Sequence, residues 1–574
     1  MKFLTVIFLL LGNFVFAQKN NANISGIVTD DNENPLKGVS IIILGKSTGT
    51  ASSDSGTFNL KVKPETSLAL VFTSTGYNSV QRNFFLSSGE EEVIKIRMTP
   101  SNKMLDEVVV TDEKISKESS VIKLNPKSAI AMPSVGGGIE TMIKSFVGSN
   151  NELTSQYNVR GGNFDENLIY INDFEIYRPY LVSSGQQEGL SFINPALAKN
   201  VTFYTGGFQA RYGDKLSSVL DIEYKKPTTF SGSAYISLLE QGFHLENKKK
   251  NFTYLLGVRN KSNKNVLSNQ PTLGSYLPSA SDAQAYFTFK VNPKLRFEVL
   301  AIYSASRFDF MPESVKKTSS VFSPFYSANL GLDIYFEGQE KDSYTTSIIG
   351  ISAIQNPTKK LELKWMVSRF SDVEKENLDI AGAYLFGNRD FDNSSTTFGQ
   401  IVNPLGAGYY QDYARNNLNI ESWKAAHKGT FTINKHFIQW GLSAENTKIE
   451  DRLKQWQFQD SAGYSIPVNE NSLTLKSSVN STANLSIIKL NAYLQDNIRF
   501  AKPTYDLILQ AGLRINYNDL NDELLLSPRL QASIKPIWKR DIIFKASAGI
   551  YQQPPFYREL RDYDGNLNTN IKAQ

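Results

Sequence analysis

Cysteine is absent from the 574 residues. That removes disulfides, zinc-thiolate centres, thiol catalysis and lipidation of an N-terminal cysteine in one step. Histidine is scarce, with His244, His427 and His436 the 3 present, and a zinc hydrolase site needs a richer supply. Charge of one sign is not in excess either: 61 Lys and Arg against 56 Asp and Glu leave +5. No nucleic-acid footprint follows, and no nucleic-acid partner is expected. After the N-terminus, no run of about 18 apolar residues is found, so a transmembrane helix is not expected. A membrane-bound form would have to be a barrel. Tyr and Phe, at 27 and 35 against 5 Trp, suit β structure in which wet and apolar faces meet.

What is present begins with a leader. Met1 to Ala17 carries one positive charge at Lys2, an apolar run from Phe3 to Leu11 and a small residue before Gln18. This is the pattern of a signal peptide cleaved after Ala17. In residues 18–99, Ile24, Val28, Val39, Ile41, Ile43, Phe58, Leu60 and Val62 alternate with polar neighbours, broken at Asn34-Pro35, Gly45, Gly49 and Ser55-Gly56. Turns about 8 to 12 residues apart predict a small β-sandwich. The segments GIVTD, PLKGVSI, TGTASSDSGTFNL and FTSTGY resemble the carboxypeptidase regulatory-like domain, which implies an immunoglobulin-like sandwich used for binding or spacing. None of the three histidines falls in it, so no peptidase activity is expected. Asp30, Asp31 and Asp54 read as turn and cap residues in preference to a cation site.

Two glycine-punctuated stretches organise the next region. Gln156 to Arg178 reads QYNVRGGNFDENLIYINDFEIYR, with Tyr157, Val159, Leu168 and Tyr170 alternating around Arg160-Gly161-Gly162. Val201 to Lys225 reads VTFYTGGFQARYGDKLSSVLDIEYK, where Gly206-Gly207 precede the turn Ala210-Arg211-Tyr212-Gly213. The alternation predicts short strands and the glycine pairs predict turns of positive φ. Upstream, Ile139, Met142, Ile143 and Phe146 share one helical face, and Pro195, Ala196, Leu197 and Lys199 predict a second short helix. The ordered set resembles the plug domain of TonB-dependent outer-membrane transporters. The resemblance implies an α+β domain at 113–226 with structural corners at Arg160, Gly161, Gly162, Gly206, Gly207, Arg211, Tyr212 and Gly213. Arg160 is expected to pair with acids on a barrel wall. Substrate contact is expected from the adjoining loop, through Tyr177, Arg178, Tyr180 and Gln186.

Residues 100–112 form a linker holding Asp106, Glu107, Val108, Val109 and Val110. These five read either as a strand of a neighbouring domain or, by resemblance, as the TonB box of transporters carrying this N-terminal module. A short extended segment of this kind can add to the open edge of a partner's sheet.

From 227 to 574 the period-two signal recurs. Phe252, Tyr254, Leu256 and Val258 form one apolar face, and Ile438, Trp440, Leu442 and Ala444 another. The longest runs through Leu507, Leu509, Ala511, Leu513, Ile515 and Tyr517, opposite Ile508, Gln510, Gly512, Arg514 and Asn516, a face mostly suited to water. Strands with one apolar and one polar face predict a transmembrane antiparallel β-barrel. Lys261 to Asp282, Ala381 to Asn416 and Asp451 to Asn484 read as long polar extracellular loops, and Asp372, Glu374 and Glu376 as a solvated acidic edge. Phe230 to Gln574 supports about 14 strands at roughly 25 residues each with connections, whereas plugged lumens go with about 22. LSPRLQASIKP and FKASAGIYQQPPFYREL resemble the family's late-barrel pair, after which further strands are usual. The barrel is therefore expected to be incomplete as given, a truncated or partial sequence with open edges.

The expected fold is mainly β: a sandwich, an α+β plug and a barrel. No catalytic constellation is found, so no enzyme activity, metal or cofactor is expected. His427 and His436 lie near opposite ends of an expected hairpin, which argues against a shared ligand role. The resemblance implies TonB-dependent import of an extracellular nutrient (metal-siderophore, cobalamin, glycan or peptide) across the outer membrane, with the N-terminal domain in the periplasm. Implied partners are TonB, outer-membrane lipid, the extracellular substrate and, as an optional addition, a surface lipoprotein. The alternative is a surface binding or adhesion β-protein that transports nothing.

Overall fold

The computed structural model describes residues 21–99 except 31–32, 45, 47 and 76, then 121–126, 128, 138–147, 157–177, 193–262, 274–323, 326–460 and 474–574 except 539 and 541. The leader at 1–17 and the segment Asp106 to Val110 lie outside the described residues. The chain divides into two compact units, Met1–Asp112 and Glu113–Gln574.

The first unit is a two-sheet β domain. Strands β1 (Ala22–Thr29), β4 (Thr57–Val62) and β7 (Glu91–Arg97) form one sheet, in which β1 runs antiparallel to β4 and parallel to β7. Strands β2 (Ser40–Ile43), β3 (Gly49–Ala51), β5 (Leu68–Thr73) and β6 (Val80–Phe84) form the other, in the order β3-β2-β5-β6. The eight alternating apolar residues named above are all buried between them. Asp30 accepts from the Asn34 backbone N–H at 2.8 Å, and Asp54 pairs with Lys37 at 2.8 Å on the surface. Asp30 thus serves a turn, as its position predicts, whereas the Asp54 side chain makes a surface ion pair and Asp31 lies outside the described residues.

The second unit starts with a five-stranded sheet in the order β10-β9-β12-β11-β8. Its strands are β8 (Val121–Leu124), β9 (Asn167–Ile171), β10 (Phe174–Ile176), β11 (Ala198–Tyr204) and β12 (Ser218–Tyr224). Only β9 and β12 pair in parallel. Helix α1 (Gly138–Val147) buries Ile139, Met142 and Ile143, while Phe146 stands 55% exposed, so the apolar stripe is one residue shorter than the spacing predicts. Pro195 to Leu197 form a turn that leads straight into β11, not a second helix.

Fourteen strands make the last sheet, antiparallel throughout. They are β13 (Ser231–Ile236), β14 (Glu240–Lys249), β15 (Phe252–Ser262), β16 (Gly274–Asn292), β17 (Leu295–Pro312), β18 (Val315–Ser323) and β19 (Tyr326–Thr358). After them come β20 (Leu361–Arg389), β21 (Ile401–Ile433), β22 (His436–Asp460), β23 (Thr474–Ala501), β24 (Tyr505–Asn518), β25 (Glu523–Pro536) and β26 (Phe544–Gly549). Strand β18 pairs only with the far end of β19, and β17 takes the near end. Among the described residues β13 and β26 each have a neighbour on one side.

Much of what reads as long loops is strand. Ala381 pairs with Gln411 and Asp451 with Ala483, so these hairpins continue well past the apolar band. Strand β21, at 33 residues, is far longer than the roughly 9 to 11 needed to cross a bilayer. Asn, Ser and Gly there decorate a projecting ladder whose neighbours satisfy its backbone.

The faces of this sheet differ as the alternation predicts. In β24, Leu509 and Leu513 point outward and are exposed. Gln510, Arg514 and Asn516 point inward, and they are buried against the five-stranded domain instead of facing water. Asp372 and Glu374 are likewise buried on the inward face, where Thr346 Oγ1 donates to Asp372 at 2.7 Å, so they are not a solvated edge. One apolar cluster joins Ile143, Tyr157, Phe203 and Leu220 of the inner domain to Leu255, Leu300, Met366 and Ile420 of the sheet.

Candidate functional site: the seat of the inner domain on the wall

The hairpin between β9 and β10 turns at Asn172 and Asp173, both with positive φ (51° and 71°). Two consecutive left-handed residues make the tight turn that Asn and Asp tolerate best among non-glycine residues. Asn172 is fixed from behind, its side-chain oxygen accepting from Tyr224 N–H at 2.9 Å. The tip therefore points rigidly at the wall. Lys364 donates to Asp173 at 2.7 Å and to the Asn172 carbonyl at 3.1 Å, and Lys428 reaches Asp173 at 3.0 Å. Phe174 lies over Gly350 so closely that a Cβ there would come within 2.6 Å of its ring. Glu175 meets Lys424, which also contacts Glu445 at 3.1 Å. Burial would raise the Asp173 carboxyl, but the ammonium groups of Lys364 and Lys428 outweigh it and hold the group well below the usual range.

The second contact is the loop from Gly206 to Asp214. Gly206 and Gly207 have φ of 110° and 61°. Arg529 donates to the carbonyl of Gln209 at 2.7 Å and to that of Tyr212, and its guanidinium lies 4.9 Å from the Phe208 ring and 4.4 Å from Tyr551. Gln495 accepts from Arg211 N–H at 3.0 Å and donates to Gln209 at 2.8 Å. Gly213 lies where a Cβ would stand 1.8 Å from Arg514 Nε. Next to it, Asp214 (φ 67°) accepts from Asn516 at 2.6 Å and pairs with Arg514 at 3.3 Å. Burial works against the Asp214 charge, but Arg514 and Lys489 keep its pKa below the ordinary value. Asp221, inside the domain, is instead pushed up by burial although Arg211 pairs with it at 3.1 Å.

The sequence-predicted corners form two turns that meet at Gly206, where a Cβ would stand 3.1 Å from the Arg160 guanidinium. Arg211, Tyr212, Gly213, Gly206 and Gly207 lie at the second contact. Arg160 (φ 52°) and Gly161 (φ 82°) turn the chain at the exposed side of the domain. Gly162 packs where a Cβ would meet Ser217 Oγ at 1.8 Å. Arg160 reaches Thr205 Oγ1 at 3.4 Å, within its own domain. At the hairpin tip and at Asp214 the polarity is the reverse of that expected, acids of the inner domain meeting cations of the wall, while Lys226 pairs with Glu298 of the wall at 3.1 Å in the opposite sense. Tyr177 packs on Phe370, ring centroids 5.4 Å apart, whereas Arg178, Tyr180 and Gln186 lie outside the described residues. His427 stacks on Trp365 at 4.0 Å and His436 pairs with Asp496 at 2.6 Å, so the two are engaged separately.

Sequence reading missed Lys364, Lys424, Lys428, Arg514 and Arg529. The available signal was charge on the inward parity: Lys424 and Lys428 are four apart on β21, hence on one face.

An α+β domain seated on the inward face of a large antiparallel sheet with an apolar outer face defines a plugged membrane β-protein. Residues 24–110 match the CarboxypepD_reg-like domain, and residues 109–218 match the TonB-dependent Receptor Plug Domain. The chain is similar to the ferric enterobactin receptor PfeA of Pseudomonas aeruginosa at 14% identity, over 80% of this chain and 68% of that one, with a TM-score of 0.51. It is also similar to the outer membrane transporter YddB of Escherichia coli (11% identity, 79% and 62% covered, TM-score 0.46) and to the RagAB peptide importer (9%, 80% and 64%, TM-score 0.48). The chain spans 62% of the length of YddB. No curated protein matches the sequence. The chain carries the regulatory-like and plug domains of TonB-dependent receptors, and its fold is that of TonB-dependent outer-membrane receptors and transporters.

Proposed function

We propose that this protein is an outer-membrane receptor that imports an extracellular nutrient with energy delivered through TonB. The observation that carries the reading is the plug held by Asp173, Glu175 and Asp214 on the wall cations Lys364, Lys428, Lys424 and Arg514, on a sheet whose other face carries an apolar band. Such a domain blocks a lumen until something moves it. In this reading Asp106, Glu107, Val108, Val109 and Val110 add as a strand to the open sheet edge of TonB, and force on that segment reaches the plug. Residues 18–99 act as a periplasmic spacer or binding module, 113–226 as the plug and 227–574 as barrel strands.

Substrate meets the loop beside the hairpin tip, through Arg178, Tyr180 and Gln186, with Tyr177 at its base on Phe370. Cargo bound there lies a few residues along the chain from Asp173 and Glu175, which ties cargo binding to the tip. The substrate class stays metal-siderophore, cobalamin, glycan or peptide, because a fold does not choose among cargoes. Outer-membrane fractionation with heat-modifiable migration tests the reading. A deletion strain grown on defined iron, cobalamin, glycan and peptide sources then identifies the cargo. A protein found in the soluble fraction, or a surface protein whose deletion alters no uptake, would sink it.

A further inference from the structure

The outward face of β19 to β23 changes character in register rows along the strands. One row, Ala353, Trp365, His427, Leu442 and Ala492, is largely apolar, and Ile351, Val367, Ala425, Ala444 and Leu490 follow it. Trp423 and Ile349 then share a row with Arg369. In the next row Glu421 lies opposite Lys448 and accepts from Arg369 at 2.8 Å, so charge there is balanced. The row after it, Thr345, Val373, Asn419, Glu450 and Asn484, holds one acid, and beyond that cations take over. Ser343, Lys375, Asn417, Arg452 and Thr482 form a row with two cations and no acid. Beyond it Lys341, Asn377 and Arg415 are in register, with Lys454 opposite Asn480. Lys341, Lys375, Arg452 and Lys454 are exposed. The outward acids flanking these rows are Glu450, one row below Arg452, and Asp379, 3.7 Å from Arg415. A stacked pair, Tyr413 on Trp456 at 3.5 Å, closes the patch, with Arg415 4.3 Å from the Tyr413 ring.

We propose that Lys341, Lys375, Arg415, Arg452 and Lys454 form a binding belt for the phosphorylated saccharide headgroup of an outer-leaflet glycolipid. The belt continues the apolar band upward, so its occupant is a lipid-anchored molecule already lying along the wall. Its height selects among lipids. From the Trp423 row to the Lys375 row is six residues, about 20 Å along a strand and about 15 Å in height at the usual tilt. Phospholipid headgroups extend only about 5 to 8 Å per leaflet. A headgroup that carries phosphates on sugars reaches the belt, and the stacked aromatic pair offers a flat face to a sugar ring.

This inference rests on the outer-membrane reading, and the test separates the two. The full-length protein in detergent is titrated by native mass spectrometry with rough-type lipopolysaccharide, the same lipid dephosphorylated, and phosphatidylglycerol. Wild type should retain the phosphorylated glycolipid in preference to both others. Lys375→Gln with Arg452→Gln should weaken it about 25-fold, at about fivefold per cation near an anionic surface. Lys448→Gln, from the balanced row, should change it less than about twofold, and unchanged heat-modifiable migration reports that each variant is folded. Equal retention of the three lipids, an unaffected double variant, or an acidic protein captured through these residues in place of the glycolipid would overturn the belt and leave the import reading standing. Absence of the protein from the outer membrane would overturn both.

Discussion

The Asn172-Asp173 tip and the loop from Gly206 to Asp214 both press on the wall, yet by different chemistry. The tip relies on opposite charges: Asp173 and Glu175 meet Lys364, Lys428 and Lys424. The loop has one ion pair, Asp214 with Arg514, and adds to it shape and backbone carbonyls held by Arg529, with glycine where Arg514 passes. A seat made of side-chain charge can be released by a change of potential or by a competing anion. A seat made of backbone and glycine moves only if the loop itself changes conformation. The difference suggests that the tip is the switch and the loop the anchor.

Four perturbations should act unequally on the two contacts. The largest effect is expected at the anchor. Gly213→Val drives a branched side chain into Arg514 and should cost about 3 kcal/mol or more in plug docking, seen as loss of folded protein or of hydrogen-exchange protection across β11 and β12. Next, Lys364→Met with Lys428→Met strands the Asp173 carboxylate. Because Asp173 is 39% exposed, the cost should fall to about 2 kcal/mol, below that of breaking a fully buried pair. Adding Asp173→Asn should restore part of it, which a purely steric defect would not allow.

Acid should affect the tip next. The folded-state pKa of Asp173 is depressed, so its stabilisation is complete above the unfolded value of about 3.9 and fades as pH falls through that value toward the lowered one. Exchange protection at β9 and β10 should hold from about pH 8 to pH 5 and drop below about pH 4. Asp214 shifts the same way, but the Arg529 bonds to carbonyls do not titrate there, so the loop should outlast the tip. The smallest effect belongs to Arg160→Ala, within about 0.5 kcal/mol, since the exposed Arg160 makes one long hydrogen bond, to Thr205 at 3.4 Å, and otherwise lies over Gly206.

The faces of the wall were legible in the sequence because a period of two sorts Leu509 and Leu513 from Gln510 and Arg514 without knowledge of neighbours. The core of the first unit was legible for the same reason, from Ile24 to Val62. The seat was not. Lys364 and Asp173 are 191 residues apart, and nothing local to LELKWM says that its lysine will meet a hairpin tip. The hairpin extensions misled because Asn, Ser and Gly mark loops near a membrane-sized strand, while here they decorate ladders that project beyond it. Arg160 attracted a wall partner on charge alone, although its positive φ commits it to a turn on the plug's own surface.

The central claim is that force on the Asp106 to Val110 segment unseats the plug. Val109→Pro removes one backbone donor from that segment and changes none of the residues that make the two wall contacts. Uptake of a labelled cargo by energised cells should stop in this variant while cargo binding at the cell surface matches wild type. Normal energised uptake by Val109→Pro would contradict the account.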